Sequence, residues 1–285
     1  MSGDNIRNYG SIALDGKITP LIGYEVGYAN AFYHYQDEDS LVDAGGNLIA
    51  ASTGALMNRM EHNIHLDSRW QLQPDTVGVL GYNFREADYL ADQPIGVTSD
   101  GLLMSDARNS RSHVIYAGAD HTFRPDLTGS LRAGAQFVDY YNDPTADTDV
   151  SPYVQASLRY IYMPESYFEA GVTYDHSATD IVGTDPTQRG FTTDAESFVV
   201  WVNLKHRITA NLYANLNGQY QNSKFQNGLY DSEKENFYLA GVNLEYRFTR
   251  NFSAHAGYNY DNLDSDINGR SFDRNRVYIG ATASY

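Results

Sequence analysis

The strongest constraint on this chain is a period of two that runs most of its length and is cleanest at its C-terminus. There Val277, Ile279, Ala281, Ala283 and Tyr285 alternate with Arg276, Tyr278, Gly280, Thr282 and Ser284. Successive side chains of a β-strand point to opposite faces. A strand that is apolar on one face, polar or small on the other, and aromatic at its end suits a wall with lipid on one side and water on the other. The same alternation is found upstream. Leu212, Ala214, Leu216, Gly218 and Tyr220 alternate with Tyr213, Asn215, Asn217, Gln219 and Gln221, and Ala240, Val242, Leu244 and Tyr246 alternate with Leu239, Gly241, Asn243 and Glu245.

Six five-residue segments punctuate these runs: Ile18–Ile22, Leu72–Thr76, Phe123–Leu127, Met163–Tyr167, Ile208–Leu212 and Phe248–Phe252. Each places Pro, Asp, Asn, Thr or Ser after an apolar residue and usually before another, the chemistry of a hairpin turn. The connections between hairpins, 37–57, 89–111, 141–151, 177–196, 222–235 and 261–273, are longer and rich in Asp, Asn, Gly and Ser. Short turns at one rim and long polar loops at the other are the asymmetry of an outer-membrane barrel. The expected fold is therefore all-β, an antiparallel up-and-down transmembrane β-barrel built as a meander of about 12–14 strands.

The strand count is odd. Residues 6–16 alternate and enter the first short turn, so six hairpins and the C-terminal strand make about thirteen, whereas single-chain bacterial barrels have even counts. Two expectations follow. Either further strands precede residue 1 and the chain is the C-terminal part of a larger barrel, or residues 1–16 are a frayed extension and a twelve-stranded barrel starts at Leu21. The first residues, Met1–Asn8, lack the cationic and apolar regions of a secretory signal.

Composition excludes several alternatives. The chain has no Cys, so no disulfide framework holds it. No apolar run approaches the roughly 18 residues of a membrane helix. A mean hydropathy of −0.49 is neutral evidence, because half of each barrel strand faces water. The net charge of −16 is concentrated in the long loops, which argues against nucleic acid as a partner and would attract cations to the mouth.

Candidate functional residues lie on the polar phase of the strands. Arg69, Asp120, Arg132, Arg159, Glu169, Lys205, Arg207, Glu245, Arg247 and Arg276 are pore-lining candidates. Charged side chains on a barrel's inner face pair across strands and set ion preference where they crowd. Val277, Ile279, Ala281, Ala283 and Tyr285 are the candidate signal for the barrel-assembly machinery. Asp264-Ser265-Asp266-Ile267-Asn268-Gly269 matches half of a calcium loop, but position twelve is Asn275 rather than a bidentate carboxylate. Asp264, Asp266 and Asn268 are thus weak metal candidates, an ordinary polar turn is the simpler reading, and no metal or other cofactor is expected. Catalysis is not expected either, since the eight His fall in no nucleophile or metal motif.

Residues 112–137, Asn217–Ser223 and the tail from Ala256 through Asp273-Arg274-Asn275-Arg276 to Tyr285 resemble the putative beta-barrel porin 2 family of outer-membrane proteins, with the likeness running from about Asn5 to Tyr285. The resemblance implies a porin-like barrel in the bacterial outer membrane, without naming a substrate. It also implies family members that carry a signal and several strands ahead of the segment equivalent to Asp4–Asn8. The function expected is passive diffusion of small hydrophilic solutes or ions, with outer-membrane lipid around the barrel. The alternative is a structural or adhesive barrel with acidic surface loops.

Overall fold

In the computed structural model, residues 4–37, 39–143, 148–178, 181–187 and 191–284 are described. The strands, in chain order, are β1 (Asn5–Thr19), β2 (Ile22–Tyr35), β3 (Leu41–Val42), β4 (Leu48–Ala50), β5 (Arg59–Gln73), β6 (Thr76–Tyr89), β7 (Pro94–Thr98), β8 (Gly101–Met104) and β9 (Ser110–Arg124). They continue with β10 (Leu127–Asp139), β11 (Asp149–Met163), β12 (Ser166–Ala178), β13 (Asp194–Arg207), β14 (Leu212–Gln226), β15 (Lys234–Arg247), β16 (Phe252–Ser265) and β17 (Phe272–Ala283). Thirteen of them form one antiparallel meander in the order β1-β2-β5-β6-β9-β10-β11-β12-β13-β14-β15-β16-β17. The hairpins β3–β4 and β7–β8 and the one-turn helix α1 (Thr53–Met57) belong to the two longest loops.

All six sequence-predicted turns fall between consecutive strands. Local chemistry explains them. Thr19 Oγ1 accepts hydrogen bonds from the backbone N–H groups of Leu21 (3.3 Å) and Ile22 (3.0 Å), Thr209 Oγ1 from Leu212 (3.1 Å), and Thr249 Oγ1 from Asn251 (3.2 Å). A hydroxyl bonded to the backbone two or three residues on closes a turn. In the Pro164–Glu165 turn, proline presets the first central residue and Glu165 takes φ 61°, the left-handed position that this turn type requires of its second.

Two loops are shorter than expected. β14 and β15 extend to Gln226 and back to Lys234, and β16 runs to Ser265, so much of 222–235 and 261–273 is strand. These ends pair fully, for instance Asn222↔Asn236. Polar residues stand on both faces of these ends, so the alternation that betrays a strand is absent. β1 pairs with β2 from Asn5 to Thr19, which excludes a frayed N-terminal segment.

The registers define two faces. The outward one carries an aliphatic band including Val26, Leu66, Leu80, Ile115, Leu131, Leu158, Val202, Leu216 and Val242. Aromatic side chains border it near the short turns (Tyr24, Trp70, Phe123, Tyr160, Phe168, Tyr246, Phe252) and towards the loops (Tyr28, Phe198, Tyr238, Tyr258, Tyr260), all exposed. Phe252 to Tyr260 is eight residues, about 26 Å along a strand, comparable to the band that a barrel shows to lipid. On the other face Arg85 of β6 reaches Asp175 of β12 at 3.4 Å. Those strands are four steps apart in the sheet, about 19 Å along a flat one, so the sheet curves and the polar face is concave.

Among the described residues no ladder joins β1 to β17. Val277 and Ile279 on β17 are 80% and 85% exposed, more than the outward residues of inner strands such as Leu66 at 49% or Leu158 at 44%. With thirteen alternating strands, β1 and β17 run in the same direction, so pairing them directly would make a parallel ladder.

Candidate functional site

The concave wall is the candidate site, and register decides which side chains reach it. Arg69 lies opposite Val79, Val77 opposite Asp120, Arg132 opposite Gly118, Arg159 opposite Glu169, Lys205 opposite Asn215, Arg207 opposite Tyr213, Glu245 opposite His255, and Arg276 opposite Asn259. Followed strand by strand, all ten pore-lining candidates, Arg247 included, share this face.

Six of them form two networks near the short turns, while Arg276 lies towards the loops and donates to Asp261 Oδ1 at 3.0 Å. In the first, Arg69 donates to Glu25 Oε2 (2.8 Å) and Asp120 Oδ2 (2.9 Å), and Arg132 donates to Asp120 Oδ1 (2.8 Å). Gly81 leaves room for the Tyr116 hydroxyl to cross from β9 and donate to Asp67 Oδ1 of β5 at 2.5 Å. In the second, Arg207 donates to Glu165 Oε1 (3.0 Å), Arg247 donates to Glu245 Oε1 (2.8 Å), and the Tyr213 hydroxyl bonds Glu165. That hydroxyl, with the arginines beside it, holds the Glu165 carboxyl below its ordinary range. Arg159 and Lys205 lie over tyrosine rings instead, 4.1 Å from the centroid of Tyr167 and 5.2 Å from that of Tyr213, favourable cation–π positions.

At the loop end the wall is narrowed by its own strands. The β11–β12 ladder stops at Val154↔Tyr174, while β12 stays paired with β13 to Ala178. Gln136, buried on β10, then replaces the missing strand. Its Nε2 donates to His176 O (2.7 Å) and its Oε1 accepts from His176 N (3.1 Å). Beside it the Tyr140 hydroxyl donates to Asp194 Oδ2 at 2.6 Å, and His176 Nε2 lies 2.6 Å from the same oxygen. His176, Asp194 and Tyr140 are all buried. Burial, with Asp194 adjacent, pushes the Tyr140 phenol well above its usual range, so it remains a donor. A cavity of about 240 Å³ opens here, lined by Arg85, Ser112, Gln136, Tyr140, His176 and Asp194 among others. Sequence reasoning missed this cluster, because β6, β9, β10 with its following loop, β12 and β13 all contribute to it and only the inward departure of β12 unites them.

The remaining candidates are dispersed. Val277, Ile279, Ala281 and Ala283 share the outward face of β17, whereas Tyr285 lies outside the described residues. Asp264 is on β16 opposite Asn236, Asp266 Oδ2 accepts from the Lys234 N–H at 3.1 Å, and Asn268 is in the following turn. Among the described residues no group of three or more His, Cys, Asp or Glu could hold a metal ion.

A curved antiparallel meander with a lipid-suited outer face and a charged inner one defines the class of outer-membrane β-barrel proteins. Within it, the model of the family described as "Putative beta-barrel porin 2" matches residues 195–285, that is β13–β17; the other residues that carried the sequence resemblance, 112–137, lie outside this match. No curated protein matches the chain. Among solved structures the chain is similar to "Copper transporter OprC", with TM-score 0.57 and 12% identity over 98% of this chain and 52% of that one. It is also similar to the FrpB iron transporter from Neisseria meningitidis (F5-1 variant), with TM-score 0.56 and 12% identity over 93% of this chain and 46% of that one. The chain thus spans about half the length of these structures. At this identity the likeness concerns the fold.

Proposed function

We propose that this chain forms wall of a porin-like channel in the bacterial outer membrane, through which small hydrophilic solutes or ions diffuse passively. The observation that carries this reading is that the concave face is the charged one and the convex face the apolar one. Such a wall places water inside and lipid outside, and an interior lined by both signs of charge accommodates hydrated solutes. The acidic loops would raise the local concentration of cations at the mouth. Outer-membrane lipid is the partner of the aromatic-bordered band, and the barrel-assembly machinery the partner of the last strand. The family matched at β13–β17 carries the description of a porin, which supports a transport role.

The test is conductance in planar bilayers of the protein folded in and extracted from outer membranes. Stepwise currents that scale with salt concentration are expected. Heat-modifiable, folded protein that inserts but gives no steps would refute the channel and favour the structural or adhesive alternative.

A further inference from the structure

The inner wall's charge is divided between its two flanks. Close to the short turns, β1–β9 present Asp15, Glu25, Asp67 and Asp120 against Lys17 and Arg69. Asp15, Glu25 and Asp67 are successive cross-strand neighbours, Asp15↔Glu25 and Glu25↔Asp67, a row of like charges that costs stability in itself. At the same height β11–β15 present Arg159, Lys205, Arg207 and Arg247 against Glu169 and Glu245. Arg132 on β10 marks the boundary and pairs back to Asp120.

Pairing within each flank neutralises part of this charge and singles out the groups that remain without an ion-pair contact. Glu165, in the turn below, takes Arg207 at 3.0 Å, and Glu245 takes Arg247 at 2.8 Å. Among the described residues, Arg159 and Lys205 have no carboxylate within salt-bridge distance; their partners are tyrosine rings. Glu169 faces Arg159 across the ladder and Arg69 bonds Glu25 within the row; from β5 to β13 is six strand steps, about 29 Å around the curved wall, so the two cations without an ion-pair contact and the carboxylate row lie on separate flanks of the same lumen. A polarised wall of this kind creates a field across the channel rather than along it.

We propose that the lumen favours small zwitterionic solutes over monoanions of equal size, with Arg159 and Lys205 as the specificity-determining cations. This rests on the channel reading above. A zwitterion carries no net charge for the acidic loops to repel. Inside, its carboxylate is stabilised beside Arg159 and Lys205 while its ammonium group faces the Asp15–Glu25–Asp67 flank. A monoanion of the same size meets repulsion at the mouth and has nothing to offer the acidic flank.

The test uses proteoliposomes containing the folded protein and three solutes of similar size, β-alanine (zwitterion), propionate (anion) and propionamide (neutral), each entry rate being the excess over protein-free vesicles, which propionamide and protonated propionate cross unaided. β-Alanine should enter roughly tenfold faster than propionate and faster than propionamide. Arg159→Gln combined with Lys205→Gln should bring β-alanine down to the propionamide rate. As a second variant, Arg159→Glu with Lys205→Glu makes both flanks acidic and should favour the monocation propylammonium. β-Alanine and propionate entering wild-type vesicles alike, or an unchanged β-alanine to propionamide ratio in both folded variants, would overturn the proposal while leaving the channel intact. If propionamide fails to enter as well, the channel reading itself falls, and this proposal with it.

Discussion

Glu165 illustrates how much of one residue's behaviour sequence conveys. Its place in a turn after Pro164 was legible from turn chemistry, but its bonds to Arg207 and Tyr213 come from β13 and β14, one and two steps beyond β12. Because its carboxyl is held below the ordinary range, its contribution to stability is present above the unfolded-state value, roughly 4.3, and is lost as pH falls through the lower folded value. Wild type and Glu165→Gln should therefore differ in urea midpoint at pH 7 and converge at the acid end of the titration; a constant difference down to pH 2, about two units below the unfolded-state value, would contradict this. Asp261 makes a different case. It is fully buried and held by Arg274 (2.7 and 2.9 Å) and Arg276 (3.0 Å), so Asp261→Ala should destabilise the last hairpin by about 1–3 kcal/mol, measured by urea unfolding. Sequence alone sets Glu165 in a turn and Asp261 in the 261–273 loop. Their partners could not be read, because partners depend on register, and register depends on how many residues each loop consumes.

At the scale of elements, strands were legible wherever lipid enforces a contrast between faces. They were obscured where both faces carry polar residues, as at Asn222–Gln226 and Asp261–Ser265. The inward departure of β12 above Tyr174 left no trace in the sequence, since Gln136 is one polar residue among many until its amide is found paired with the backbone of His176. The β9–β10 pair depends on close approach. A Cβ at Gly118 would lie 2.0 Å from Leu131 O, and one at Gly134 would lie 1.9 Å from Ile115 O. Gly134→Ala should consequently cost about 1–3 kcal/mol by overpacking against backbone, seen as a lower unfolding midpoint of the folded protein; an unchanged midpoint would show that the two strands can move apart. Ile279 projects outward from β17 at the sheet's edge. Ile279→Asp should lower the yield of heat-modifiable barrel in the outer membrane, whereas normal yield would remove this strand face from assembly.

At the scale of the whole molecule, the meander, the six short turns and the two-faced wall could all be read in advance, because each follows from a local rule repeated along the chain. Curvature was implied by the expected barrel, but the lateral division of charge could not be read, since it arises only when thirteen strands are set side by side. The edges are the least satisfied part of the sheet. Backbone groups left unpaired in hydrocarbon cost several kcal/mol each, roughly. Amide exchange in folded protein should accordingly show alternate N–H groups of β1 and β17 exchanging faster than those of β5 or β14, and uniform protection across both edge strands would mean that they are paired. There is an evolutionary consequence to the six turns. Each one joins two strands, so duplicating or deleting a hairpin changes the sheet's width by two and leaves its outermost strands pointing the same way. Such a wall can widen or narrow over generations by whole hairpins, yet whatever meets its two edges faces the same directional demand throughout.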